Sequence, residues 1–329
     1  MKVLITGATG FIGSRLAATC RERGFDVLAL GQANNEVEAG RGERLRQLGV
    51  AVEALDLGDE ATLDARVGGR DVVFHLAAAQ HEMNVPDSHF WNVNVEGTRR
   101  LLDAALRAGV RRFVHGSTIG VYGVPGAAEI DEATPPAPDN IYGVTKLAGE
   151  RLVLEHAGRL PVCVIRISET YGPGDRRLLK LFRAIKAGKF LLIGPCRNIH
   201  QPIHVDDLVE VLLLAAEKPA AAGELFVAPG GEKLTTEQMC AAIASALGTR
   251  LPRLRAPMTP FLWASVLLER TLRPLGIQPP LHSRRLDFFR KSFSFSGGKL
   301  EKLLGYRPAR DFAGGARETA EWYAREGLL

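Results

Sequence analysis

Tyr142 and Lys146 stand four residues apart in the run Asn140-Ile-Tyr-Gly-Val-Thr-Lys146, a spacing that puts both on one face of a helix. A lysine ammonium beside a phenol favours the phenolate and lowers the phenol's pKa. A tyrosine titrating nearer neutrality can move a proton to or from a carbinol oxygen during hydride transfer. Tyr-x-x-x-Lys is also a common pair on helix surfaces, so the spacing needs support from elsewhere. Support comes from Gly116-Ser117-Thr118-Ile119-Gly120-Val121-Tyr122-Gly123, which follows the apolar run at Phe113. Hydroxyls at the carboxyl end of a strand can hydrogen-bond the reacting oxygen and orient it toward Tyr142.

Elements able to position these groups begin at the first residue. MKVLITGATGFIG passes from a β-branched run, Lys2 to Thr6, into a turn with Gly7, Gly10 and Gly13 at three-residue intervals, then into an amphipathic helical pattern from Ser14. Strand, glycine turn and helix in that order aim backbone N–H groups and a helix N-terminus at a pyrophosphate. Gly7 permits the tight turn, Gly10 lets the backbone approach the phosphates, and Gly13 lets helix and strand pack closely. Val27 to Leu30, Ala51 to Leu55, Val72 to Leu76, Phe113 to His115 and Val162 to Ile165 are further short apolar runs, with helical patterns between them. Repeated βα units predict an α/β fold, a Rossmann-type doubly wound parallel sheet covered on both faces. Prolines punctuate the chain from about Gly172, which predicts a smaller C-terminal substrate-binding lobe. The expected division is a dinucleotide-binding domain over 1–171, with contributions from about 190–230, and a lobe over 172–329.

Bulk properties narrow the class. The 329 residues are 46% hydrophobic and 24% charged, as in ordinary globular proteins with a full core. No secretory signal pattern precedes the first strand, and the longest apolar stretches, Val209 to Ala216 and Phe261 to Leu268, are too short to span a bilayer. Cys20, Cys163, Cys196 and Cys240 form no CxxC pair, which fits a cytoplasmic setting and argues against a disulfide framework or a metal site. Residues 1–166 carry 18 Lys/Arg and 21 Asp/Glu; residues 167–329 carry 24 and 16. The basic second half suits an anionic substrate, whereas nucleic acid is disfavoured because no basic run is interleaved with aromatics. The stripe Phe261, Trp263, Ala264, Leu267 and Leu268 has helical spacing and reads as core or a dimer face. His75 and His204 read as buried structural groups, and Asp206-Asp207 as the N-terminal cap and dipole partners of the helix that follows.

Together these motifs resemble the extended short-chain dehydrogenase/reductase family, in its NAD-dependent epimerase/dehydratase branch. The matching pieces are Thr6–Gly13, Asp56-Leu57, His75–Ala78, Asn94–Thr98, the Gly116–Gly123 stretch, Tyr142–Lys146, Arg166 with the run ending at Asp175, Ile203–Asp207 and Leu304–Pro308. The resemblance implies that Tyr142 is the general acid/base, that Lys146 holds the nicotinamide ribose and tunes Tyr142, and that Thr118 is the catalytic hydroxyl with Ser117 beside it. It also implies that Gly7, Gly10, Phe11, Ile12 and Gly13 lie against the pyrophosphate. Asp56 and Leu57 would flank the adenine, and Ala77 and Ala78 would line the cofactor floor. A homodimer through Val93 to Ala108 and Tyr142 to His156 is implied as well.

Three departures from the family pattern shape the expected function. Gly31-Gln32 stands where NAD-binding members place an acid, so the cofactor expected is NAD with NADP left open, Arg15, Arg41 or Arg44 being available to a 2′-phosphate. Ile119-Gly120 stands where the nucleotide-sugar dehydratases carry Asp-Glu, and on that ground a 4,6-dehydratase is not expected. Glu169 replaces an asparagine and His200 an arginine that grips a diphosphate, leaving Arg177, Arg284 and Arg285 among the remaining anion partners. Ser117, Glu169, Arg177, His200 and Arg285 are therefore the expected substrate residues. The leading reading is an NAD(P)-dependent epimerase of a nucleotide-activated sugar. The alternative is a net dehydrogenase or reductase of an apolar alcohol or ketone, like the hydroxysteroid and dihydroflavonol relatives. A non-catalytic dinucleotide sensor is a third reading, opposed by the intact Thr118, Tyr142 and Lys146.

Overall fold

The computed structural model describes residues 1–54, 56–80, 85–124, 129–251, 255–272 and 286–329. Its first half runs β1 (Lys2–Thr6), α1 (Phe11–Glu22), β2 (Asp26–Leu30), α2 (Glu36–Gln47), β3 (Ala51–Glu53), α3 (Glu60–Val67), β4 (Val72–His75), α4 (Asp87–Trp91), α5 (Gly97–Ala108), β5 (Arg112–Thr118), α6 (Ile141–Glu155) and β6 (Val162–Ile167). The second half adds β7 (Thr170–Tyr171), α7 (Leu179–Lys186), β8 (Leu192–Ile193), β9 (Ile199–His200), β10 (Ile203–His204), α8 (Val205–Glu217), β11 (Glu224–Ala228), β12 (Leu234–Thr235), α9 (Thr236–Ala246), β13 (Arg255–Ala256), α10 (Met258–Leu272), α11 (Gly298–Leu304) and α12 (Phe312–Arg325).

Seven parallel strands form one sheet in the order β11-β6-β5-β4-β1-β2-β3. The strands are short and buried on both faces, as a parallel sheet between helical layers requires. One face packs a cluster that includes Leu16, Ala17, Leu208, Leu212 and Leu300 from α1, α8 and α11. The other packs Leu63, Leu101, Leu102, Leu152 and Val153 from α3, α5 and α6. A separate cluster, with Phe182, Ile243, Ala316 and Tyr323, joins α7, α9 and α12. The strand order reverses between β1 and β4, and the carboxyl ends at such a switch point are where ligands bind. Both the glycine turn after β1 and Thr118 at the end of β5 lie on that edge.

Of the two places expected for the Phe261–Leu268 stripe, core or a dimer face, the structure excludes the core of this chain for Trp263 and Leu267. Within α10 only Ser265 is fully buried, while Trp263 and Leu267 are 72% and 64% exposed. Periodicity reports that an apolar face exists, but it does not say what covers it. At α8 the cap is the His204 ring, which accepts from the Asp206 N–H, and Asp206 and Asp207 occupy the first turn. Among the described residues, no helix is long and apolar enough to cross a membrane.

Candidate active site

Gly7 has φ +70°, and a Cβ there would meet Ala77 N at 2.7 Å. A Cβ on Gly13 would meet Gly7 O at 2.2 Å, so the turn and the close helix–strand approach both exclude a side chain. Helix α1 starts at Phe11 with no side-chain cap and no acidic residue in its first turn. Its positive end and leading N–H groups are therefore available to an anion, and the residues fit a dinucleotide pyrophosphate. Arg41 and Arg177 approach the Phe11 ring with their guanidinium carbons 6.0 and 5.6 Å from its centroid. Gly174 lies against the same ring in a left-handed backbone conformation, φ +98°, that a side chain would strain.

The three arginines considered for a 2′-phosphate are all engaged. Arg15 pairs with Asp206 at 2.5 Å, Arg44 pairs with Glu326 at 2.8 Å, and Arg41 donates to Gly174 O at 2.7 Å. Asp56 accepts from the Gly58 N–H at 2.8 Å in an exposed turn. Leu57 packs against Gly97, and Ala77 and Ala78 are half-buried just past β4. Asn94 ties that floor to α6: it accepts from the Ala79 N–H at 2.8 Å and its amide lies 3.0 Å from Thr145 Oγ1.

Thr118 ends β5 and caps the turn that follows, accepting from the Gly120 N–H at 3.0 Å. Asn140 caps α6 by accepting from the Gly143 N–H at 3.0 Å, which starts the helix so that Tyr142 lies in its first turn. The Thr118 and Tyr142 side chains hydrogen-bond each other. Both line a cavity of about 480 Å³ with Val85, Asp87, Phe90, Ile141, Asp287 and Phe293. Burial pushes the Tyr142 phenol up to about 12, against the Thr118 hydrogen bond and the Arg177 charge, which pull it down.

The net shift of Tyr142 is thus opposite in direction to the lowering expected, because burial outweighs the groups that pull it down. Lys146 is buried and its ammonium lies 3.3 Å from His115 Nε2. Burial, opposed by the Glu150 charge, lowers its pKa to about 8. The four-residue spacing fixes a shared helix face, but a lysine stem is long enough to turn toward the sheet. Burial and the nearby Lys146 charge keep His115 well below its ordinary value, so its neutral ring can accept.

The expected substrate residues separate into three groups. Ser117 is buried and donates to Glu150 Oε2 at 2.9 Å, and Glu150 pairs with Arg166 at 2.5 Å. Glu169 and His200 meet each other, with Glu169 Oε2 3.0 Å from His200 Nδ1. Burial lowers the His200 pKa but the Glu169 hydrogen bond and charge outweigh it, and the net shift is upward. Arg177 is held by Asp175 at 2.9 Å and by the Thr170 carbonyl, with its charge felt at Tyr142. Arg284 and Arg285 lie outside the described residues.

Several site groups carried no signal in the sequence. Asp87 and Asp287 reach the cavity from segments about two hundred residues apart, and nothing local marks either one. His204, Asp206 and Glu318 come close enough together to hold a cation, but Arg15 and Arg310 already engage Asp206, at 2.5 and 3.3 Å.

Residues 3–228 match the family described as NAD dependent epimerase/dehydratase, and the chain belongs to that family. It is 31% identical to a dTDP-glucose 4,6-dehydratase of Actinoplanes sp., covering 98% of both chains. It is 29% identical to the 3beta-hydroxysteroid-dehydrogenase/decarboxylase isoform 1 of Arabidopsis thaliana, covering 98% of this chain and 79% of the relative. An undecaprenol-diphosphate-linked N-acetylglucosamine 4-epimerase of Escherichia coli O157:H7 is 28% identical over 78% of this chain and 75% of its own length. Among solved structures, DesIV, a dTDP-glucose 4,6-dehydratase from Streptomyces venezuelae with NAD bound, superposes with a TM-score of 0.77 at 26% identity over the whole of both chains. The NAD cofactor expected from the sequence agrees with the family.

These relatives overturn the exclusion of 4,6-dehydration. Full-length similarity to dTDP-glucose 4,6-dehydratases conflicts with it. The structure also supplies a physical reason: Asp87 and Asp287 line the cavity with Tyr142, so a carboxyl group there does not depend on the two residues after Thr118.

Proposed function

We propose that the chain is an NAD-dependent epimerase of a nucleotide-activated sugar, which oxidises one carbinol and then reduces the same carbon from its other face. The observation that carries this reading is the Thr118–Tyr142 hydroxyl pair on the wall of the cavity, with the Arg177 charge acting on the phenol. NAD, when bound, supplies the acceptor and later the donor of hydride. Thr118 would orient the reacting oxygen. Tyr142, as phenolate, would take the carbinol proton and return it when the keto group is reduced. Lys146 would hold the nicotinamide ribose, and Gly7, Gly10, Phe11, Ile12 and Gly13 the pyrophosphate. Asp56 and Leu57 would flank the adenine, over a floor of Ala77 and Ala78. The basic second half of the chain and the E. coli relative, a 4-epimerase of a diphosphate-linked sugar, support the substrate class. A homodimer through α5 and α6, in the cytoplasm, belongs to the same reading.

A second reading, net dehydrogenation of an apolar alcohol, is favoured by the Val85, Phe90, Ile141 and Phe293 lining. The Glu169–His200 pair also favours it, since it occupies positions expected to contact a diphosphate. One experiment separates the readings: nucleotide-sugar and hydroxysteroid panels are incubated with catalytic NAD, following products by NMR and NADH by absorbance. An epimer without accumulating NADH supports the proposal, and stoichiometric NADH supports the second reading. A product that has lost water would place the chain with the dTDP-glucose dehydratases.

A further inference from the structure

A second cavity, of about 740 Å³, lies between α1, α2 and α12. Leu16, Ala17 and Cys20 of α1 pack into the core, while Phe11, Ser14, Arg15 and Ala18 on its other face line this cavity. Val37, Gly40, Arg41, Arg44 and Leu48 of α2 add a second wall at helical spacing. Pro173 and Arg176 from the 172–177 loop, with Trp322 and Arg325 of α12, complete it. Of the residues expected to hold the dinucleotide, Phe11 alone belongs to this lining.

The arginines of the cavity are only partly matched by acids. Arg15 and Arg44 are paired with Asp206 and Glu326, at 2.5 and 2.8 Å. Arg41 donates to carbonyl oxygens, Gly174 O at 2.7 Å and Thr9 O at 3.4 Å, and Arg176 and Arg325 pair with no carboxylate among the described residues. Burial lowers the Arg41 pKa; Asp175 raises it, and the Arg176 and Arg44 charges lower it further. Glu36 and Glu318 also line the cavity, Glu318 lying 3.6 Å from His204 Nε2. Gly40 is a separate anomaly, since it stands inside α2, where glycine weakens a helix relative to alanine. A Cβ there would meet nothing within 4 Å. No neighbour in the chain requires the glycine, and the room it leaves belongs to the cavity.

We infer that this cavity binds an aromatic phosphomonoester. Arg41 and Arg176 hold the phosphate, and the ring lies on the bare backbone at Gly40 and the apolar side chains of Val37, Leu48 and Trp322. Planar guanidinium forks match phosphate oxygens, and a dianion offsets the crowding of like charges around Arg41. The volume is that of a small-molecule site. The site is independent of the carbinol chemistry proposed above.

The test uses the full chain at saturating NAD, which keeps the dinucleotide cleft filled. Phenyl phosphate is titrated by calorimetry, and the tryptophan indole N–H signals are followed by NMR, with Trp322 assigned through Trp322→Phe. One-site binding is expected, with the Trp322 signal shifting and those of Trp91 and Trp263 fixed. Arg176→Gln should weaken binding by about tenfold. Gly40→Leu fills the cavity with a better helix former, so it should abolish binding while the unfolding midpoint holds or rises. A Trp322 signal that stays fixed would overturn the inference. So would equal binding by Gly40→Leu, or inorganic phosphate binding as tightly as phenyl phosphate.

Discussion

Lys146 presents its ammonium to His115 Nε2 at 3.3 Å, across the packing of α6 on β5, while the Tyr142 phenol one turn earlier answers to Thr118 and Arg177. Two groups that the sequence pairs by spacing thus sit in different electrostatic surroundings. The lysine belongs to a buried layer with His115, and through it with His75, whose ring lies 5.2 Å from that of His115. The phenol belongs to the cavity wall.

If His115 is the acceptor that makes a buried ammonium tolerable, removing it should be costly. His115→Phe is expected to destabilise the protein by about 1–3 kcal/mol, and His115→Gln, which can still accept, should recover most of that. Urea midpoints of the three proteins check the difference.

A lysine with a pKa of about 8 in the folded chain, against 10.5 ordinarily, makes stability depend on pH. Between these values the unfolded chain binds the extra proton, so stability rises with pH through that window, by up to about 3 kcal/mol. Lys146→Met should flatten the rise between pH 8 and 10, measured as the change in denaturant midpoint.

The Glu169–His200 pair runs in the opposite sense. The His200 pKa is raised in the folded state, so the pair contributes fully below the ordinary histidine value near 6.5. The contribution disappears as pH rises through the folded value. Glu169→Gln should therefore cost stability at mildly acidic pH and almost none at alkaline pH. The effect is at most about 1 kcal/mol, because the carboxylate is 43% exposed. An NMR titration of His200 in the variant should show its pKa moved down.

Arg177 lowers the phenol's pKa by charge. Arg177→Gln removes that charge and should move the phenol further up. The alkaline-rising limb of kcat/KM should shift to higher pH by about one unit or less, a displacement that a pH–rate profile resolves.

The sequence carried the fold because local and tertiary signals agree there. The β-branched run Lys2–Thr6, the three glycines and the helix after them are each required by backbone geometry, and Gly7 and Gly13 show why no other residue would fit. Thr118 and Tyr142 were legible because each follows a strong boundary signal, the end of a strand and an Asn140 cap. The destination of a side chain was not. Ser117 is one residue from Thr118 yet faces Glu150, and the Lys146 stem reaches the sheet; neither turn is written in spacing. Asp87 and Asp287 meet in one cavity through tertiary folding alone. The α10 stripe displays correct helical periodicity and an outward face, because a hydrophobic period is the same whichever way it points.

Tyr142→Phe tests the central claim most directly, in single-turnover hydride transfer with NAD binding measured in parallel on the same protein. The account predicts unchanged NAD affinity and a fall in the transfer rate of about a hundredfold or more. Transfer at the wild-type rate with the phenol oxygen removed would contradict it.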